Sequence, residues 1–203
     1  MLRTALVHIR DSINLYYKNE YKKDKMLVLT NLQNADGTTP DDVSNKMVFF
    51  LTGLSEETTL KNSLNRIRNG SEGGFVKAPK NLHLNMYLLF CANFEGITGY
   101  EEGLAYLSSL VRFFQLNKIL HVPKSTTNAQ TSDSETTIDR GGDTSKTSQS
   151  RLTFELCKLE YSELSHLWSA IGGKLRPSVL YKVGIVTFDD VRVTETIPAI
   201  TEI

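Results

Sequence analysis

The chain has no surplus of either charge. Among its 203 residues, 23 Lys and Arg face 23 Asp and Glu, so the formal net charge is zero. Nucleic acids are gripped by clustered cations that meet phosphates, and a chain so balanced is not expected to have a nucleic-acid partner. Its one basic run, residues 18–25, is broken by Glu20 and Asp24 and reads as a solvated helix end or turn. Cysteine is nearly absent. Cys91 and Cys157 lie in apolar segments, in no CxxC pair and no Cys/His cluster, which argues against zinc. They read as buried, reduced thiols in a cytosolic setting. Long apolar runs are missing too. Nothing is long enough to cross a bilayer, and the stretch from Met1 to Leu6 lacks the apolar core of a signal peptide. The protein is therefore expected to be made in the cytoplasm, with no membrane partner.

Catalytic groupings are the next absence. Neither a GxSxG elbow nor an HExxH is present. Ser165 and His166 are neighbours, but adjacent helical residues point in different directions and do not form a working pair. His166, close to Trp168, reads as a packed or hydrogen-bonded histidine, and His8, His83 and His121 sit on separate elements without metal-like spacing. Gly172-Gly173-Lys174 invites comparison with a phosphate loop. Such a loop runs from a strand into a helix start, so that backbone N–H groups face the phosphate. Here the glycines follow a helix and precede a strand, which is the place of a C-cap. Asp189-Asp190 reads as a solvated strand exit and not a calcium site. Glu101-Glu102 read as carboxylates at the positive end of a helix. No catalytic, cofactor-binding or metal-binding residue follows from this, no cofactor is expected, and the chain is not expected to be an enzyme. A hydrolase built from dispersed Ser, His and Asp would have no local motif behind it.

What is present is a clear alternation of periods. Leu2, Ala5, Leu6, Ile9, Ile13 and Tyr16 recur at helical spacing. Residues 26–32 form a short β-rich run closed by the turn chemistry of Asn34-Ala35-Asp36-Gly37. Residues 45–54 predict a second strand. Its centre, Met47 to Leu51, is apolar on both faces, so an inner strand covered on both sides is expected. Residues 55–80 are polar and glycine-bearing and read as an exposed excursion. Residues 81–94 predict a long strand with Leu82, Leu84, Met86, Leu88 and Phe90 on one face and His83, Asn85, Tyr87 and Leu89 on the other.

A helix is expected over 100–116, its buried face marked by Leu104, Leu107, Val111 and Phe114 with Leu110 and Phe113 beside it. Residues 125–150, rich in Ser, Thr, Asp and Gly, have too little apolar surface to offset their ordering entropy and read as a flexible loop. A strand over 151–160, a helix over 162–171 and a last strand over 178–189 follow. Val179, Tyr181, Val183 and Ile185 should share one face of that strand. Pro177 suits its first position, where no ladder donor is needed. The order α-β-β-β-α-β-α-β indicates an α+β protein. The expectation is a single domain over residues 1–203, with a mixed, mostly antiparallel sheet flanked by helices, long mobile loops and an extended C-terminal arm over 191–203. Trp168, Gly172, Gly173, Pro177 and Tyr181 are taken as fold-critical, with Trp168 packing the last helix onto the sheet. Val191, Val193, Ile197, Pro198 and Ile200 are the candidate interface residues of the arm, which is able to pair with a neighbour's sheet edge.

One set of segments, in one order, resembles a known family. It comprises the opening helix, Val28-Leu29-Thr30-Asn31-Leu32 with Asp36-Gly37, and Asn45-Lys46-Met47-Val48. Leu82-His83-Leu84-Asn85-Met86-Tyr87-Leu88-Leu89-Phe90, Tyr100-Glu101-Glu102-Gly103-Leu104 with Leu107-Ser108, and Phe113-Phe114-Gln115 continue it. His166-Leu167-Trp168 through Gly172-Gly173 to Pro177-Ser178-Val179-Leu180-Tyr181-Lys182-Val183 completes it. Together these are similar to the cap, or tail-terminator, subunits of phage-tail-like contractile injection systems, in extracellular particles of the antifeeding-prophage and virulence-cassette type. The departures lie in 55–80 and 125–150. The resemblance implies a homo-hexameric ring that ends the inner tube and holds the last sheath ring, with the tube and sheath proteins as partners. It brings no catalytic residues. Because tube and sheath proteins of these machines join by exchanged strands, it also implies an offered strand edge or arm; residues 191–203 are the first candidate and 125–150 a weaker one. The competing reading is an assembly chaperone or protein-binding adaptor for tail components. Particle release would place the protein outside the cell after assembly.

Overall fold

The computed structural model describes residues 2–34, 36–40, 43–57, 66–68, 75–77, 82–123, 149–172, 174–188 and 195–197. Three helices are described: α1 (Leu2–Tyr21), α2 (Ile97–Leu116) and α3 (Tyr161–Ile171). The strands are β1 (Leu27–Leu29), β2 (Lys46–Glu56), β3 (Arg66–Arg68), β4 (Phe75–Lys77), β5 (Leu82–Asn93), β6 (Ile119–Pro123), β7 (Gln149–Leu156), β8 (Ser178–Phe188) and β9 (Glu195–Ile197). Six of them make one sheet in the order β1-β2-β5-β8-β7-β6. Only β1 and β2 run parallel; the other pairs are antiparallel. The class is α+β with a mixed sheet, as the element pattern predicts.

Both faces of that sheet are covered, which explains the doubly apolar central strands. On one face Met47 and Phe49 of β2, Met86, Leu88 and Phe90 of β5, and Tyr181 and Val183 of β8 meet α1 and α2. On the other, Val48, Leu89, Cys91 and Leu180 meet Trp168 of α3 together with Leu32 and Val43. Phe49, Phe90, Leu88, Leu89 and Met47 are fully buried; each such side chain contributes roughly 1.5–3 kcal/mol by leaving water. Phe49 and Phe90 stack across β2 and β5 with centroids 5.0 Å apart. The α1 and α2 helices are tied by Tyr17, whose buried hydroxyl donates to the Tyr106 carbonyl at 2.9 Å.

The sheet curls. On one side of β5 the register with β2 slips between Leu51 and Gly53; on the other, Leu84 and Met86 face Val186 and Val183 of β8. Each slip inserts one extra residue and adds local twist. Gly184 sits in the second slip, where a Cβ would lie 3.1 Å from both Asn85 Oδ1 and Thr153 Oγ1.

Several boundaries differ from the periodicity. The α2 helix begins at Ile97, so Glu101 and Glu102 lie past its first turn, not at its positive end. Its buried face centres on Tyr106, Leu110 and Phe113, while Leu104 stays 39% exposed. Gly103 is the cause: its Cβ position is 2.9 Å from the Phe94 ring, so the helix lies on Phe94 only where there is no side chain. The span 55–80, read as an excursion, contains β3 and β4, which pair with β9 in a second, three-stranded sheet. β6 was not foreseen either. The α3 helix starts one residue earlier than expected, at Tyr161, where Glu160 and Glu163 form a reciprocal capping box.

Candidate functional site

The six-stranded sheet ends in two edges, and they are built differently. At β1, the Met47 N–H donates to the Met26 carbonyl and the Thr30 N–H to the Phe49 carbonyl. Alternation along the strand then turns the N–H and C=O of Leu27 and Leu29 outward. Asn14 of α1 fills the Leu27 position: its Nδ2 donates to the Leu27 carbonyl at 2.9 Å, and the Leu27 N–H donates to its Oδ1 at 2.8 Å. The Leu29 groups meet no such partner among the described residues. Beside this edge runs a cleft of about 720 Å3, bounded by α1, the 24–25 turn, β1 and Lys46.

At β6, the Phe154 N–H donates to the Lys118 carbonyl, which sets Leu120 and Val122 toward β7 and leaves the backbone of Ile119 and His121 facing outward. Ile119 and His121 are exposed, and Leu116 and Leu156 near this end of the sheet are also largely exposed. The outer face of α2 adds Ile97, Tyr100 and Leu104, an exposed apolar stripe at helical spacing.

The residues singled out from the sequence fall into separate places. Trp168 is 4% exposed and packs in the α3 layer. Gly172 caps α3 in the left-handed conformation at φ 75°, its N–H donating to the Ser169 carbonyl. Pro177 precedes β8, and its carbonyl accepts from the Ala92 N–H at 2.9 Å. Tyr181 lies on the opposite face from Trp168, against Phe114 and Phe90. Gly173 is outside the described residues. So are Val191, Val193, Pro198 and Ile200, the pair Asp189-Asp190, and residues 124–148 of the predicted loop. Ile197 ends β9 and is paired with Phe75 of the same chain. Gln149 and Ser150, placed in the loop by composition, begin β7.

Reactive chemistry is sparse where side chains are described. Cys91 is buried, and burial pushes its thiol up to about 12, with Arg176 opposing weakly. Burial also raises the Cys157 thiol. Burial thus favours the protonated form of both, and neither is an activated nucleophile. His166 and Ser165 lie exposed on α3, and no group of His, Cys, Asp or Glu among the described residues is arranged to hold a metal. No helix among those residues is long and apolar enough to cross a membrane. Sequence reasoning missed Asn14 because its partner at Leu27 belongs to another element, and no local pattern marks such a contact.

Known proteins match this architecture. The family described as the Pvc16 N-terminal domain matches residues 6–202. A solved structure of the sheath/tube terminator of an extracellular contractile injection system, PVC, in its extended state superposes with a TM-score of 0.58 at 13% identity, covering 100% of this chain and 61% of that one. The tube-terminating cap of the anti-feeding prophage gives a TM-score of 0.54 at 13% identity, covering 97% of this chain and 58% of that one. At such identity the likeness is one of fold, and this chain spans about three-fifths of each of those proteins. No curated protein sequence matches it.

Proposed function

The chain belongs to the Pvc16 N-terminal domain family, and on that premise we propose that it is a structural cap of a contractile injection particle, forming a hexameric ring that ends the inner tube and anchors the last sheath ring. The observation that carries this reading is the fold shared along the whole chain with two terminating caps. Its partners are then copies of itself, the tube protein and the sheath protein. The reading is non-enzymatic, in keeping with a buried, protonated Cys91 thiol and scattered histidines.

Physical features support it. A closed ring needs a heterologous contact, with two unlike patches on each subunit. Two unlike sheet edges and an exposed apolar stripe on α2 supply such asymmetry. Zero net charge suits partners that are protein surfaces. Within the candidate arm over 191–203, β9 is committed to β4; contacts through Val191, Val193, Pro198 or Ile200 would start from that anchored strand.

Electron microscopy of the purified chain, alone and mixed with tube and sheath, tests the proposal. Six-fold rings on tube ends are expected. A chain that stays monomeric at high concentration and binds neither component overturns it. Deleting the gene separates a cap from an assembly chaperone: loss of a cap leaves tubes of uncontrolled length, whereas loss of a chaperone leaves none.

A further inference from the structure

We propose that the cleft between α1 and the outer edge of β1 receives an extended, acidic segment of a protein partner, which adds to the sheet as a strand and takes over Leu27 from Asn14. This goes beyond the ring reading and does not depend on it. Asn14 uses one carbonyl and one N–H to satisfy the N–H and carbonyl of Leu27. A residue of a neighbouring strand would do the same, so the side chain stands in for a peptide group. Two residues along, Leu29 turns its own N–H and C=O to the same side without a partner among the described residues. An incoming strand would therefore exchange two hydrogen bonds at Leu27 for two equivalent ones, release the Asn14 amide to water, and gain new bonds at Leu29.

The cleft has the room and the charge for this. Its volume is about 720 Å3, and Leu15 on its rim is 61% exposed. Arg10 is paired with Asp11 and Lys18 with Asp24. Lys25 and Lys46, which also line it, have no ion pair among the described residues. Lysines on an edge discourage neutral or basic strands from pairing. The same two cations favour a segment carrying carboxylates, so the edge is closed to indiscriminate pairing and selective for one kind of chain.

The test uses the full chain, 15N-labelled, with two acetylated and amidated peptides: Thr-Val-Glu-Val-Glu-Val and Thr-Val-Lys-Val-Lys-Val. In the free protein the Leu29 amide should exchange freely while the Leu27 amide is protected. The acidic peptide should protect Leu29 and move the Asn14 side-chain NH2 resonances to solvent-like positions. The basic peptide should bind at least about tenfold more weakly, and Lys25→Glu with Lys46→Glu should reverse that preference. Asn14→Ala should bind the acidic peptide several-fold more tightly, since no amide has to leave. Protection of Leu29 in the free chain overturns the proposal, as does equal binding of the two peptides or binding that leaves Leu27 and Leu29 unmoved. The charge-reversal variant decides the matter if Asn14→Ala does not fold. A chain that builds rings yet gives no Leu29 protection loses this edge and keeps the ring; peptide capture by a chain that never forms rings does the opposite.

Discussion

Trp168 is a buried side chain with an unmet need. Its ring packs against the sheet with 4% exposure, while its Nε1 has no hydrogen-bond partner among the described residues. The two halves of the residue therefore pull in opposite directions. Removing the ring with Trp168→Ala should cost on the order of 3–5 kcal/mol, because a cavity opens between α3 and the sheet. Trp168→Phe keeps most of the ring and deletes a donor that is unpaired among the described residues, so its cost should be smaller, at about 1–2 kcal/mol. Urea unfolding of both variants checks the ordering; equal losses would mean that the N–H carries hidden weight. The thiols give a second residue-scale expectation. Cys157 is partly accessible and should react with a thiol reagent in the folded chain, while Cys91, buried and held protonated, should react only on unfolding. Counting labelled thiols at neutral pH with and without denaturant distinguishes them.

At the scale of elements, α2 shows how one glycine sets a helix's seat. A Cβ on Gly103 would stand 2.9 Å from the Phe94 ring and 3.1 Å from Ala92 Cβ. Alanine would gain about 1 kcal/mol of helix propensity. It would also force the helix off Phe94, at about 1–3 kcal/mol. Gly103→Ala should therefore destabilise or be near neutral, against propensity alone, and thermal unfolding reads the sign. The same helix marks the limit of what periodicity conveys. Its existence was legible from its spaced aliphatics, but its rotation was not, because Tyr106 and Gly103 carry no aliphatic signal and the contact that selects them comes from Phe94. The long strand β2 was legible because burial on both faces writes itself as continuous apolar sequence, and β5 and β8 were legible from the alternation that lines up apolar residues on one face. By contrast, β3, β4 and β9 are three residues each, too short for a period to show, and β9 meets β4 from far along the chain, so no local pattern announces them. β6 is Ile119-Leu120-His121-Val122-Pro123, a β-rich run ended by proline but too short for its alternation to stand out from the helix before it. At the edges, the outward backbone of β6 and the Asn14 contact at β1 exist only once the strand order is known.

For the molecule as a whole, the titrating groups sit in both layers, and this gives its stability a defined pH dependence. Cys91 belongs to the α3 layer; Tyr17, Tyr106 and Tyr181 belong to the layer of α1 and α2. Burial is the leading cause that raises all four, Cys91 and Tyr106 to about 12, with the Glu102 carboxylate adding to the rise at Tyr106. In the unfolded chain the thiol ionises near 9.0 and the phenols near 10.0. Above those values the unfolded state holds fewer protons than the folded one, so unfolding becomes easier as pH rises. The contribution of these groups to stability should thus be full and independent of pH below about pH 8 and be lost from about pH 9 upward. The slope from Cys91 alone is at most about 1.4 kcal/mol per pH unit, and the phenols join it above pH 10. Because the sheet is shared by both layers, ionisation on either side should release both, and melting at alkaline pH should stay a single transition when followed by Trp168 fluorescence and by far-ultraviolet circular dichroism. Replacing both raised thiols, Cys91→Ala with Cys157→Ala, should move the onset toward pH 10 without changing the steeper fall beyond it. Two separated transitions, one seen by Trp168 and the other by the helices, would show that the α3 layer detaches on its own and that the sheet does not couple its faces.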